Sequence, residues 1–258
     1  MIKLNRRALI LVMGALALIA FGIASVYYGM ENKKVDPRVI EARQIYDRFD
    51  MYASNSDYKG VFAMLDSVEN IYKAIPHYQN SYELGVLENN RGAAYLTMAI
   101  QDSVQPFSFD GVNILSKDSL LQLSELHLQK AIDIYENWNG IYTDKDKEAI
   151  NSIVKQDFFN GLNEKDAEKR NDYFLNRVEE IEMAKLENKR RLSVALTNLG
   201  IVQRHKEDYK KAIDLYGKAL ELWSENLAAK NNLNILLGKP IEKRNFIQKM
   251  FPPEKDEE

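Results

Sequence analysis

The side chains that most often perform chemistry are few in this sequence and widely separated. There are three histidines, His77, His127 and His205, and no cysteine. The histidine spacing matches no metal-binding pattern such as His-Glu-x-x-His, and without cysteine there are no thiolate zinc sites, cysteine nucleophiles or disulfides. A phosphate-binding glycine loop and a G-x-S-x-G nucleophile motif are also missing. The sequence therefore predicts no catalytic site, no metal site and no cofactor, and we expect a protein that is not an enzyme.

The elements that position the remaining side chains are predicted to be helices. Of the 258 residues only 12 are glycine and 6 are proline, and apolar residues recur at helical spacing. The 35 Lys and Arg residues are interspersed with 38 Asp and Glu residues, which leaves a formal net charge of −3. A nucleic-acid binder would need a concentrated basic face to displace phosphate counterions. We therefore expect an all-α protein that does not bind nucleic acid.

The N-terminal part of the sequence contains an uncharged, mainly apolar segment from Ala8 to Met30. As a helix, its about 23 residues would be about 34 Å long, and a bilayer's hydrocarbon core is about 30 Å thick. The alternative is a cleaved signal peptide with Gly22-Ile23-Ala24 as the cleavage site. Because the apolar stretch continues past that site, the sequence favours a retained transmembrane anchor at residues 8–30.

The orientation of this segment follows from its flanking charges. Three basic residues lie within residues 1–7 and three within residues 31–38, so the positive-inside rule separates the two orientations poorly. A short N-terminal tail ending in Arg6-Arg7 resembles that of a bacterial signal anchor whose N-terminus is inside the cell. We therefore expect a single-pass protein of the inner membrane whose C-terminal domain is periplasmic or otherwise extracytoplasmic.

Two nearly identical hexapeptides, KAIDIY at residues 130–135 and KAIDLY at residues 211–216, point to an internal repeat. The second lies in a stretch that resembles the tetratricopeptide repeat, a 34-residue helix–turn–helix unit. Gly200 stands at repeat position eight, Ala212 at position twenty and Tyr216 at position twenty-four. The small residues let the two helices of the unit approach closely. The resemblance implies an α-solenoid, in which successive helix pairs stack.

The resemblance continues upstream in degenerate form. Glu88–Ala99 resembles the first helix of a unit, with Gly92 at position eight, and residues 127–138 resemble its second helix. An inserted loop near residues 101–119 separates the two. Further upstream, a helix pair that ends at Ala74 is either a true repeat or a generic antiparallel pair.

The predicted fold class is therefore all-α, with an N-terminal single transmembrane helix followed by an α-solenoid of tetratricopeptide-like helix pairs. A charged helix begins near Lys165, and because no stop signal follows it, we expect it to continue into the repeat. The predicted organisation is a short tail at 1–7, the anchor at 8–30, a linker at 31–36, degenerate helix pairs at 37–143, a charged helical segment at 144–191, a repeat with its capping helix at 192–239 and a tail at 240–258.

In the family that the sequence resembles, peptides commonly bind in a groove lined by the first helix of each unit. Three units of this chain have asparagine at position six. An amide side chain has donors and an acceptor, so it can pair with a peptide backbone whatever the peptide's side chains. The alternative is that asparagine, which is common in this chain, lies on solvent-facing helix surfaces without a binding role. The predicted groove residues are Asn90, Val194, Asn198, Ile201, Arg204, Asn231 and Asn232, with Val86 and Asn89 at neighbouring groove positions.

These features favour a membrane-anchored adaptor or scaffold that mediates protein–protein interaction in a cell-envelope complex. The alternative is a membrane-tethered, chaperone-like helper that holds unfolded clients near a secretion or assembly machine. A third hypothesis is an enzyme or small-ligand sensor that uses residues 101–119 as a lid. We expect a protein or peptide partner in the groove and the membrane as a partner of residues 8–30, while the sequence leaves the oligomeric state open.

Overall fold

A computed structural model describes residues 34–101 and 114–243, and every regular element in these ranges is helical. A 3-10 helix, Pro76–Tyr78, joins the third α-helix to the fourth. The α-helices of these ranges are α1 (Ile40–Tyr46), α2 (Phe49–Ser54), α3 (Tyr58–Ala74), α4 (Tyr82–Ile100), α5 (Lys117–Tyr142), α6 (Lys147–Val154), α7 (Ala167–His205), α8 (Tyr209–Leu222) and α9 (Leu227–Leu236).

The predicted transmembrane part of the fold class requires a correction, and so does the predicted single-pass location in the inner membrane. Among residues 34–101 and 114–243, no helix is both long enough and apolar enough to cross a bilayer. The helices there are amphipathic: α3, for example, buries Val61, Leu65 and Val68 along one face. The segment predicted to span, residues 8–30, lies outside the described residues. The all-α described chain fits the solenoid part of the prediction.

The longest helix, α7, joins the predicted charged segment to the predicted repeat. Its 39 residues start at Asp166, whose carboxylate accepts hydrogen bonds from the backbone N–H groups of Glu168 and Lys169, and continue without interruption to His205. The prediction that the charged helix continues into the repeat is thus confirmed. One helix therefore positions two regions of the molecule.

The turn between α2 and α3 has the same geometry as the turn between α7 and α8. Ser56 has φ 55° and Glu207 has φ 64°, and each is followed by an aspartate that caps the next helix. Asp57 donates its backbone N–H to the carbonyl five residues back at 2.9 Å, and Asp208 does the same at 2.9 Å. This match favours a true repeat over a generic helix pair for α2 and α3.

Buried side chains form three clusters in the described residues. The first core lies between α1, α2, α3, α4 and the start of α5, and includes Leu65 and Tyr95. The second core lies between α4, α5, the C-terminal half of α7, α8 and α9, and includes Leu128. The third core lies between the end of α5, α6 and the N-terminal half of α7, and includes Trp138 and Phe158. Helix α7 thus contributes to the second and third cores through different halves.

Candidate peptide-binding groove

The tyrosines of the two hexapeptides each pack against a glycine of an earlier helix. A Cβ atom built on Gly200 would lie 2.5 Å from Cε1 of Tyr216. A Cβ atom built on Gly85 would likewise lie 2.5 Å from Cε1 of Tyr135. Because the two contacts are the same, Gly85 is the structural counterpart of Gly200, and α4 and α5 pair as α7 and α8 do.

The predicted register of α4 is wrong by two helical turns. The sequence suggested Gly92 as the counterpart of Gly200, but Gly92 faces Leu128, seven residues before Tyr135 on α5. Gly85 and Gly92 lie seven residues apart, so they share one face of the helix. Both accept a large side chain of α5, and their spacing alone does not distinguish them.

With the corrected register, two hydrogen bonds between units become equivalent. Asn89 lies four residues after Gly85, as Arg204 lies four residues after Gly200, so both are at position twelve. Asn198 Nδ2 donates to Asn89 Oδ1 at 3.3 Å, and Arg204 Nη1 donates to Asn232 Oδ1 at 2.8 Å. In each pair, position twelve of one unit meets position six of the next. We call the surface formed by Asn89, Asn198, Arg204 and Asn232 the amide face.

Asn90 lies behind the amide face. It is buried, donates from Nδ2 to the hydroxyl of Tyr46 at 2.7 Å, and accepts from Asn89 Nδ2 at 3.4 Å. A continuous series of hydrogen bonds therefore connects Asn198 on α7 to Tyr46 on α1 through two amides of α4. Asn90 is suited to hold helices together, and Asn89 is the amide of this pair that lies on the face itself.

The apolar groove residues lie next to these amides. Val194 and Ile201 are half-buried on α7, and Ile201 packs against the second core. On α9, the Ile235 side chain is 54% exposed. The amide face thus combines amide groups with aliphatic side chains. Among the residues predicted for the groove, Arg204 is the one that carries a positive charge.

Asn231 lies apart from the other predicted groove residues. Its amide contacts the chain segment that follows α9, accepting from the backbone N–H of Glu242 at 2.7 Å and donating to the carbonyl of Glu242 at 3.1 Å. An asparagine side chain thus holds one residue of extended backbone through both of its hydrogen-bonding groups. The sequence offered no signal for this contact beyond the amide itself.

A buried charge network, which sequence reasoning did not find, lies around Arg177 in the N-terminal half of α7. Its guanidinium bonds both oxygens of Glu83, at 2.6 and 3.3 Å, and one oxygen of Glu180 at 3.1 Å. Burial favours neutral forms, but the attraction is stronger, so the pKa of Glu83 is lowered and that of Arg177 is raised. Glu83 precedes Arg177 by 94 residues, and no local pattern predicts such a pair.

The same network includes a histidine–aspartate pair that superficially resembles a catalytic dyad. His77 Nδ1 contacts Asp157 Oδ1 at 2.6 Å, and the buried Ser81 lies nearby. However, His77 Nε2 accepts a hydrogen bond from Arg177 Nε at 3.2 Å, so the lone pair that a general base needs is engaged. Burial and the Arg177 charge also lower the pKa of His77. The arrangement is therefore suited to structure rather than to proton transfer.

A second polar cluster surrounds Arg91 on α4. The guanidinium contacts Asp66 at 2.5 Å and Glu69 at 2.7 Å, and His127 Nδ1 contacts Glu88 Oε2 at 2.6 Å. These groups line a shallow, polar cavity of about 310 Å³ in which the opposite charges are already paired. In residues 34–101 and 114–243, no group of three or more acidic or histidine side chains is arranged to hold a metal ion.

Comparison with known protein families identifies one unit of the chain. The family model of the tetratricopeptide repeat matches residues 193–226, which places Gly200 at position eight of the repeat. Such repeats are typically non-catalytic modules of protein–protein interaction, and the match supports that role for this chain. It gives no support to a membrane anchor, an envelope complex or a chaperone role. No curated protein and no solved structure matches the chain.

Proposed function

We propose that the protein is an adaptor that binds an extended segment of a protein partner along the amide face. The observation that carries this proposal is the repeated contact between position twelve of one unit and position six of the next. Because these contacts join α4 to α7 and α7 to α9, they arrange the polar groups of three helices on one surface. An extended peptide presents its own donors and acceptors at regular intervals, and a surface of this kind can bind them.

The free hydrogen-bonding groups of the face define the ligand's chemistry. In the described part of the chain, no hydrogen bond reaches the side-chain oxygen Oδ1 of Asn198, and Arg204 uses one guanidinium nitrogen for Asn232. A peptide N–H can therefore donate to Asn198, and a peptide carbonyl or carboxylate can accept from Arg204. The half-buried Ile201 and the exposed Ile235 lie alongside. We infer an extended ligand with aliphatic side chains and at most one acidic group, opposite Arg204.

The experiment is photo-crosslinking in cells from position 198, where a photoreactive residue replaces Asn198. The adducts are identified by mass spectrometry. The control carries the same photoreactive residue in place of Asp214, an exposed residue of α8 outside the amide face. We expect a dominant adduct from position 198 that is absent from position 214 and that disappears with the further substitution Arg204→Ala.

Three outcomes would contradict the proposal. The same adducts from positions 198 and 214 would mean that the amide face has no preference over the rest of the surface. A folded protein without adducts from position 198 would mean that Asn198, Arg204 and Asn232 only join the units. A broad set of unrelated adducts, all confined to position 198, would indicate a protein that binds unfolded chains rather than an adaptor.

A further inference from the structure

Among residues 34–101 and 114–243, α9 is the last helix, and a non-helical segment bonds to the face where a second helix of its unit would pack. Counting 34 residues from Gly200, Asn234 occupies position eight, where Gly200 and Gly85 each receive a tyrosine ring. An asparagine side chain fills that space and excludes such a close approach. At this position α9 instead has an amide that can bond to another chain segment.

The chain reverses direction after α9 and returns along it. Gly238, with φ 65°, donates to the carbonyl of Ile235 at 3.2 Å, and Lys239 donates to the carbonyl of Asn234 at 2.8 Å. These two bonds form a Schellman motif, and a proline follows it at residue 240. Helix α9 accordingly ends at Leu236. The consequence is that residues 240–242 run antiparallel to α9.

Three side chains of α9 then hold this segment. Asn234 Nδ2 donates to the carbonyl of Pro240 at 3.2 Å, and the Asn231 amide pairs with both backbone groups of Glu242. Lys230 Nζ lies 2.8 Å from the Glu242 carboxylate. We call Lys230, Asn231 and Asn234 the α9 clamp. The clamp binds the carbonyl of Pro240 and, two positions later, both the backbone and the carboxylate of Glu242.

None of these contacts uses the backbone N–H or the side chain of the middle residue, Ile241. The Ile241 side chain is 57% exposed, so the clamp places little restriction on it. The bound segment has the sequence Pro-x-Glu, in which the clamp binds proline only through its carbonyl and x can lack an N–H. The sequence contains this motif twice near its end: PIEK at residues 240–243 and PPEK at residues 252–255. Proline at the middle position of the second copy would cost no hydrogen bond in the clamp.

We propose that the α9 clamp is a binding site for Pro-x-Glu peptide segments, and that Pro252–Lys255 of the same chain is its second ligand, in exchange with Pro240–Lys243. This proposal does not depend on binding at the amide face. The second copy has two prolines, and because proline restricts the backbone of an unbound chain, less entropy is lost on binding. The first copy is tethered to α9 by a shorter loop, which favours it. These opposed effects make the two copies competitors for one site.

The test is zero-length carbodiimide coupling, which joins a lysine amine to a carboxylate in contact with it, followed by mass spectrometry of the full chain. Glu242→Pro removes both the N–H and the carboxylate that the clamp binds in the first copy. We expect this variant to increase the Lys230–Glu254 product several-fold. Glu254→Pro is the reciprocal variant, and we expect it to increase the Lys230–Glu242 product. Circular dichroism establishes that each variant retains its helices.

Controls separate clamp binding from random encounters of a charged tail. Lys218 on α8 is also solvent-exposed, and its coupling to Glu254 should stay unchanged in every variant that retains Glu254. Asn231→Ala, added to Glu242→Pro, should reduce the Lys230–Glu254 product to the Lys218 level. Glu258→Pro, outside both motifs, should leave the Lys230–Glu242 product unchanged.

Two results would overturn the proposal. The first is a Lys230–Glu254 product in Glu242→Pro that is no more abundant than the Lys218 product. The second comes from a mixture of ¹⁴N- and ¹⁵N-labelled chains. If mixed-label Lys230–Glu254 product is as abundant as random pairing of the two kinds of chain predicts, the ligand belongs to a second copy of the protein, and exchange within one chain is excluded.

Discussion

The two halves of α7 are built on different physical principles. The C-terminal half packs on α8 by shape, with the ring of Tyr216 against Gly200 and the small Ala212 buried beside them. The N-terminal half is fixed by charge, because Arg177 binds Glu83 and other groups in a buried network. One continuous helix thus belongs to a repeat at one end and to a non-repeating, electrostatically specified structure at the other.

This difference explains which half of α7 can be predicted from the sequence. Complementary small and large residues recur at fixed helical spacing, so a single unit contains the whole pattern. A buried ion pair instead depends on residues that are far apart in the chain. It also costs desolvation energy, which only a complete set of partners offsets. The N-terminal half of α7 should therefore be the more sensitive to loss of one side chain, and the C-terminal half to added volume.

The largest expected effect comes from Arg177→Met. The substitution leaves the carboxylate of Glu83 buried without its cation, which typically costs about 3–5 kcal/mol of unfolding free energy. Urea denaturation followed by circular dichroism measures it. Adding Glu83→Gln to Arg177→Met should restore part of the loss, because the uncompensated charge is then removed.

The matched control is Arg190→Met on the same helix. Arg190 Nη1 contacts Glu187 at 3.2 Å near the surface, and exposed pairs of this kind contribute at most about 1 kcal/mol. Equal losses for Arg177→Met and Arg190→Met would refute the idea that charge specifies the N-terminal half.

A smaller effect is expected from Gly200→Ala, which tests packing by shape. The added Cβ would lie 2.5 Å from the Tyr216 ring, so the helices must separate, and overpacking of this kind costs about 1–3 kcal/mol. Gly217→Ala on α8 is the control. A Cβ there meets nothing within 4 Å, so it should stabilise the helix by about 0.5–1 kcal/mol. If both variants changed the unfolding free energy in the same direction, the close approach at Gly200 would not be a packing requirement.

The same contrast explains what the sequence could and could not predict. The repeat frame around Gly200 follows from local spacing, and the family match at residues 193–226 agrees with it. The frame of α4 was misplaced because Gly85 and Gly92 both satisfy the local pattern, and only the contact of Gly85 with Tyr135 decides between them. The contact of Asn231 with the backbone of Glu242 was missed because its partner is main chain, which carries no sequence signal.

The smallest expected effect is a pH dependence that also separates the two halves of α7. Burial, together with the Arg177 charge, lowers the pKa of His77, which contacts the N-terminal half. Below its ordinary value of about 6.5, the unfolded chain binds a proton that the folded chain resists. The unfolding free energy should therefore fall as the pH falls from about 6.5 to 5, by at most about 1.4 kcal/mol per pH unit for this group. Carboxylates of lowered pKa, such as Glu83, contribute only at more acidic pH.

His77→Gln removes this titration, so we expect a flatter dependence of unfolding free energy on pH between about 6.5 and 5. His205 at the C-terminal end of α7 is the matched site. Burial and the nearby Arg204 charge also lower its pKa, but it is only half-buried, so His205→Gln should change the slope less. Urea denaturation at several pH values measures both slopes. If His205→Gln flattened the curve as much as His77→Gln, protonation at either end of α7 would lower the unfolding free energy equally. Electrostatic interactions would then not be confined to the N-terminal half as a source of stability.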